Sequence, residues 1–259
     1  MLDLSVQIVN YNTKKYLPDC VDGTISDLEN SSLSYKILIL DNNSQDDLSS
    51  LKEKYKSRNV AFYYSEKNLG FGAGHNFLAR KAESKFILIL NPDIKFLEKN
   101  TVKHLIEKLA EFSSGKVIGP KLITEESRPQ EWDHGELEGF KAWLFNNTGN
   151  SFWKEREGVI KASWVSGAFF LIERQIFEKV SGFDEKFFLY KEEEDLCLRV
   201  RKLGFEIIYC PEVKVYHYGS VVARKEDFMS ESRKYFIEKH FKNRFYYPIL
   251  KLFAKIVID

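Results

Sequence analysis

Apolar residues in the first half of the chain come in short continuous runs, separated by segments of helical length. Leu4–Asn10, Lys36–Asp41, Val60–Ser65 and Lys85–Asn91 are dominated by β-branched, leucine and aromatic residues and read as buried strands, with Lys116–Ile118 as a fifth. Helical patterns fill the gaps at residues 14–28, 45–56, 72–83 and 99–113. A strand that is apolar along its whole length is covered on both faces. The alternation therefore predicts an α/β fold with a mostly parallel central sheet flanked by helices.

The second half has a different rhythm. Residues 121–160 are loop-rich, with Pro129, Gly135, Gly139, Gly149 and several tryptophans. Ala162–Glu173 reads as one strand, Glu192–Leu203 as a helix, and Glu206–Cys210 and Val213–His217 as two short strands. Residues 227–258 are mostly helical, and Pro248 is expected to kink or divide them. There is no internal repeat. The parsing predicts one α/β domain over 1–225 and a helical tail over 226–259.

Composition changes this picture little. The 259 residues are 44% hydrophobic and 30% charged, which suits a chain with a full core and excludes general disorder. A net charge of +1 gives no global field that would select nucleic acid as a partner. The N-terminus enters a strand without the basic and long apolar regions of a signal peptide. No run approaches the roughly 18–20 apolar residues of a membrane span. Cys20, Cys197 and Cys210 form no zinc or redox spacing, so reduced core thiols in a cytoplasmic protein are expected.

Polar residues cluster where the strands end. The first strand runs into Asn10-Tyr11-Asn12, the second into Asp41-Asn42-Asn43-Ser44 and the fourth into Asn91-Pro92-Asp93. Each alone is ordinary turn chemistry. Three at corresponding ends of parallel strands point to a ligand crevice, because open sheets bind ligands there. The stretch from Asn68 to Asn76 (NLGFGAGHN) is glycine-rich but lacks the GxGxxG spacing of a dinucleotide fold, and no phosphate-binding P-loop is present. It reads either as a tight strand-to-helix turn or as a place where backbone N–H groups approach a ligand.

The densest signal is Glu192-Glu193-Glu194-Asp195, four acids opening a predicted helix. Acids in a first turn oppose the helix macrodipole. Aromatic residues before them and apolar ones after predict that at least one carboxylate is partly buried, with a raised pKa suited to a general base. His217, at a strand end, would make with Asp93 a mixed oxygen and nitrogen site suited to Mn2+ or Mg2+.

In combination these residues resemble an inverting glycosyltransferase of the GT-A (Rossmann-like) fold, family 2, in the rhamnosyltransferase-like branch. The resemblance rests on VQIVNYN at 6–12, LDNNSQDD at 40–47, NLGFGAGHN at 68–76, LNPD at 90–93, VSGAFFLIER at 165–174, GFDEKFFLYKEEEDLCLRV at 182–200 and VYHYGS at 215–220. It implies a nucleotide-diphosphate sugar donor (dTDP- or UDP-linked, with L-rhamnose as the lead) and a glycan or lipid-linked acceptor in cell-surface polysaccharide synthesis. It places Asn10, Asn12, Asp41, Asn68, Gly70, Asn76 and Asn91 at the donor. It assigns a divalent cation to Asp93 and His217, and the meeting point of acceptor and donor sugar to Gly167 and Ala168 beside Trp164. The family's DxD motif appears as Asn91-Pro92-Asp93, with Asn in place of the first acid. The base by resemblance is Glu193, with Glu192 and Asp195 as rivals.

The tail adds one expectation. Residues 233–258 hold seven Lys or Arg and one acid, interleaved with aromatics. Such a segment reads as a basic amphipathic helix on an anionic membrane surface, as a helix packed on the domain, or as a dimer contact, and the family resemblance implies the inner face of the plasma membrane. Two other functions compete: a non-catalytic sugar-nucleotide or glycan-binding module on the same fold, and a nucleotidyltransferase. The second would need a basic glycine-rich loop after the first strand, where Asn10-Tyr11-Asn12-Thr13 stands.

Overall fold

The computed structural model describes residues 1–29, 31–124, 128–219 and 225–256. Ser220 of the last motif and residues 257–259 of the tail lie outside them. The first half alternates β1 (Leu2–Asn10), α1 (Leu17–Leu28), β2 (Tyr35–Asp41), α2 (Ser49–Lys54), β3 (Val60–Tyr64), α3 (Phe71–Ala79) and β4 (Ser84–Leu90). There follow β5 (Ile94–Phe96), α4 (Thr101–Ala110), β6 (Gly115–Ile123), β7 (His134–Glu136), α5 (Phe140–Asn146), β8 (Ile160–Val165), β9 (Phe169–Glu173) and α6 (Arg174–Lys179). The chain closes with α7 (Glu192–Lys202), β10 (Glu206–His217), α8 (Lys225–Phe241) and α9 (Tyr247–Ile256).

All ten strands join one sheet in the order β3-β2-β1-β4-β9-β6-β10-β8-β7, with β5 pairing β10. The parallel arrangement expected from the sequence holds across β3, β2, β1 and β4. Beyond β4 the sheet is mixed: β9 runs antiparallel to both β4 and β6, and β8 antiparallel to β10. Side chains of β4 show why its run is continuously apolar. Leu88 and Leu90 enter a core cluster with Leu4, Ile8 and Val102, whereas Ile87 and Ile89 enter another with Phe170, Phe177 and Val200. Alternate residues point to opposite faces, and both faces are covered.

Two elements differ from expectation. Ala162–Glu173 is not one strand. It breaks at Ser166-Gly167-Ala168, and its halves occupy separate places in the sheet. A turn of small residues inside an apolar run leaves the hydrophobic pattern unbroken, so periodicity passes over it. Conversely, the two short strands expected near residues 206–217 are one strand, β10, with an irregular register between Cys210 and Lys214. Pro211 falls in that interval, where a missing N–H is tolerated in a bulge.

The tail also departs from a basic helix lying free on a surface. Phe236, Ile237 and Phe241 of α8 are buried against Phe187 and against Leu250 of α9. Lys239 bonds Asp184 at 2.7 Å and Asp195 at 2.6 Å. The helix is thus part of the domain's packing, and α8 and α9 are separated just ahead of Pro248.

Candidate active site

A cavity of about 820 Å³ opens at the carboxyl ends of the first strands. Of the residues singled out in the sequence, Asn68, Gly70, Asn91, Asp93, Trp164, Gly167, Ala168, Glu192, Glu193 and His217 line it. The Asp93 corner and the acidic turn at the head of α7 therefore face one space.

Strand pairing builds the first corner. β5, which starts just after Asp93, pairs antiparallel with the end of β10 and sets Ile94 opposite His217. Asp93 Oδ1 then lies 3.4 Å from His217 Nε2, and Asp93 Oδ2 accepts a hydrogen bond from the Gly219 N–H at 3.1 Å. Asn91 Nδ2 is 3.4 Å from the same His217 Nε2. The other ring nitrogen, Nδ1, is 2.6 Å from Gln130 Oε1. Gln130 Oε1 can only accept, so Nδ1 is the donor, and in the neutral ring Nε2 then carries the lone pair. Two electron-rich atoms, a carboxylate oxygen and an imidazole nitrogen, then converge in a buried corner, an arrangement a divalent cation relieves. Among the described residues no group of three His, Cys, Asp or Glu forms a metal cluster. A cation held here would complete its shell from a bound phosphate and water.

The opposite chemistry sits at α7. Tyr190 and Lys191 both have positive φ, 71° and 70°, in the left-handed region that L-residues adopt at a cost of about 1–2 kcal/mol each. This double turn delivers Glu192 and Glu193 into the cavity. Burial raises the Glu193 carboxyl to about 7, and the charge of Glu194 adds to the rise. The Gly167 backbone opposes it by hydrogen bonding. Glu192 is also pushed well above the ordinary range by burial and by Glu193, and its Oε2 has no partner. Glu194 also lines the cavity, but its carboxylate is engaged. It accepts from Ser151 at 2.6 Å and from Lys191 at 2.9 Å, and Ser151 accepts from Trp164 Nε1 at 2.9 Å.

Glycines bring these parts together. Gly70 has φ +84°, and a Cβ there would come 2.4 Å from the Phe188 carbonyl oxygen. That carbonyl accepts the Phe71 N–H at 3.0 Å. A Cβ on Gly167 would press on the Phe71 ring at 3.0 Å and lie 3.8 Å from Glu193 Cβ. The glycine-rich stretch thus lets α3 and the segment before α7 meet closely, as well as lining the cavity at Gly70.

Five expected site residues do not line the cavity. Asn10 is buried and spends its amide on Asp41 at 3.1 Å, Ser44 at 3.2 Å and Asp46 at 3.1 Å, and its Oδ1 on Thr13 at 2.7 Å. Asp41 is a partner in that knot, and Asn12, at φ 57°, accepts from Gln45 N. Asn76 clamps the Phe183 backbone through both ends of its amide. Asp195, expected as a rival base, is buried among Arg199, Lys239 and His240. In each case the side chain is consumed by bonds that hold neighbouring segments. The sequence reading overlooked Tyr11, Thr13, Asn42, Gln130 and Trp132 as lining residues. Asn42 had a signal, being inside the second strand-end motif; it bonds Asn68 at 2.9 Å and the Leu69 N–H at 2.9 Å. Gln130 had none, since it reaches His217 across 87 positions of chain.

Known proteins resemble this chain in sequence and in fold. The chain is 26% identical over 195 residues to O-antigen chain rhamnosyltransferase WbaN of Salmonella anatum, covering 74% of this chain and 59% of that protein. It is 25% identical over 235 residues to rhamnosyltransferase WbbL of Escherichia coli K12, covering 82% of each. An N-acetylglucosaminyl-diphospho-decaprenol L-rhamnosyltransferase of Mycobacterium tuberculosis is 25% identical over 70% of this chain and 66% of its own length. Among solved structures, GalNAc-T7 with UDP, GalNAc and Mn2+ superposes with TM-score 0.70 at 17% identity, over 99% of this chain and 54% of that one. Mannosyltransferase PcManGT from Pyrobaculum calidifontis, with GDP-Man and Mn2+, gives 0.64 at 13% identity, over 100% and 72%. These superpositions establish the GT-A fold. The family profile of Glycosyl transferase family 2 matches residues 5–181, from β1 through α6, and the chain belongs to that family.

Proposed function

We propose that this protein transfers a sugar, with L-rhamnose the first candidate, from a nucleoside-diphosphate donor to a hydroxyl of a glycan or lipid-linked acceptor in cell-surface polysaccharide synthesis. The observation that carries the reading is that the Asp93–His217 corner and Glu193 line one cavity. The relatives named as rhamnosyltransferases favour the sugar, and the diphospho-decaprenol in the name of one favours a lipid-linked acceptor.

Glu193 is the base. With a pKa raised to about 7, it is balanced between holding and releasing a proton at neutral pH, where general-base catalysis is most effective. It takes the acceptor hydroxyl's proton as that oxygen bonds to the anomeric carbon and the bond to the donor's phosphate oxygen breaks. The nucleoside diphosphate leaves with the bonding electrons. A single displacement inverts the anomeric centre and needs no covalent intermediate. Asp93 and His217 would hold a divalent cation, Mn2+ or Mg2+, which screens the charge growing on the leaving diphosphate. Asn68 and Gly70 would border the donor, and Trp164, Gly167 and Ala168 the junction with the acceptor. The enzyme would work from the cytoplasmic side. Contact with the inner leaflet would come through α9, where Ile249 is 58% exposed and the preceding Phe245 94% exposed, among Lys242, Arg244 and Lys251.

Two variants test this together by calorimetry and product assay with dTDP-rhamnose and UDP-sugars. Glu193→Gln should bind donor as wild type does and lose transfer by about 100-fold or more. Asp93→Ala should lose the Mn2+-dependent part of donor binding. Full transfer by Glu193→Gln removes the base assignment. Donor binding by the wild type without any transfer would favour the binding-module alternative.

A further inference from the structure

The tail helix carries a cation into the cavity. Arg233 on α8 lines the same space as Glu193. Its Nε is shut off from solvent and has no hydrogen-bond partner, and among the described residues no carboxylate pairs with its guanidinium. By contrast, three basic side chains of this region are engaged: Lys191 with Glu194 at 2.9 Å, Arg199 with Asp195 at 2.8 Å, and Lys239 with Asp184 at 2.7 Å. A charge taken partly out of water without a partner is destabilising, so this exception calls for an anion that arrives with a ligand.

The surroundings narrow the anion. Glu194, and Glu193 once ionised, also line the cavity and would repel a diphosphate unless a countercharge stood near. A guanidinium presents a planar fork of N–H donors that fits phosphate oxygens two at a time. One turn earlier on α8, Met229 and Phe228 line the wall, with the Phe228 ring 5.1 Å from that of Phe188. A purely hydroxylic sugar needs no such cation.

We propose that Arg233 is a diphosphate-binding residue, supplied by the tail helix to clamp the anionic group of a substrate. The assignment rests on the glycosyl-transfer reading and adds to it a residue outside the stretch matched by the family profile. A diphosphate can enter on the nucleotide donor or on a prenyl-linked acceptor.

Full-length Arg233→Gln and Arg233→Lys are titrated with UDP and dTDP in the presence of Mn2+, and separately with farnesyl diphosphate. Arg233→Gln should bind at least one probe about tenfold or more weakly, with partial recovery in Arg233→Lys. Its ligand-free melting temperature should equal or exceed that of wild type, because among the described residues Nε has no partner and no carboxylate pairs with the guanidinium. A loss confined to the nucleotides assigns the clamp to the donor; a loss confined to farnesyl diphosphate assigns it to the acceptor. Unchanged affinities in Arg233→Gln overturn the clamp while the transfer reading stands. A wild type that binds neither probe overturns both. A ligand-free melting temperature well below wild type would show that Arg233 supports the fold, and would also overturn the proposal.

Discussion

At the residue scale, the carboxylates at the head of α7 divide their labour by what surrounds them. Glu194 is tied to Ser151 and Lys191, and Asp195 to Arg199, Lys239 and His240, whereas Glu193 is left with a raised pKa and an open cavity in front of it. The raised value has a thermodynamic sign. A carboxyl whose folded pKa of about 7 exceeds its ordinary 4.5 stabilises the fold fully below about pH 4.5, and that stability is lost as pH rises through about 7. Glu193→Gln removes the ionisation. It should melt close to wild type near pH 4 and several degrees higher at pH 8, as thermal unfolding at the two pH values would show. Equal melting at pH 8 would mean that Glu193 is not buried as described. Sequence made this cluster visible through its density and flanking apolar residues. It could not rank the four acids, because rank depends on Ser151, His240 and Gly167, all remote in the chain.

At the element scale, α7 is aimed by its anchors. Asp195 sits one position past the first three acids, and burial alone would raise its pKa. The His240 hydrogen bond, Arg199 and Lys239 outweigh burial and hold it at about 2. Its stabilising contribution is present above the ordinary 3.8 and fades as pH falls through about 2. The same contacts join α7 to α8, so Asp195 fixes the helix that presents Glu193 to the helix that presents Arg233. Asp195→Ala leaves Arg199 and Lys239 without their shared buried acceptor, with His240 unpartnered beside them, and should cost about 3–5 kcal/mol in urea unfolding. A loss under 1 kcal/mol would contradict the anchor role. Helix α7 was legible as a helix from its spacing. Its partner was not, because α8 shows no clear apolar stripe: its buried residues, Phe236, Ile237 and Phe241, are mixed with Lys239 and His240, which point to buried acids.

At the scale of the whole molecule, the cavity is assembled from segments at both ends of the chain and the middle. Strand ends from the parallel half supply Asn42, Asn91 and Asp93; the segment between β6 and β8 supplies Gln130, Trp132 and Ser151; α8 supplies Arg233. The middle segment is moored by Asp133, which accepts from Tyr209 at 2.7 Å and from Trp153 at 3.0 Å. The apolar side chains left outside this assembly at the tail are on and before α9. No helix among the described residues is long and apolar enough to cross a membrane, so any bilayer contact there is lateral. Removing residues 247–259 should reduce co-sedimentation with anionic liposomes several-fold at low salt. Binding that is unchanged, or absent from the full chain, would count against an α9 contact.

Sequence by itself determined the elements of the parallel half, the strand-end polar motifs and the acidic helix, because each is a local pattern of neighbouring residues. Tertiary structure decided which of those polar groups line the cavity. Asn10, Asn76 and Asp195 are as polar and as well placed in sequence as Asn68, Asp93 and Glu193, yet they are consumed by partners 31 to 107 positions away or by the tail. A side chain's chemistry is written in its own identity. Its availability is set by which distant groups folding brings within hydrogen-bond reach.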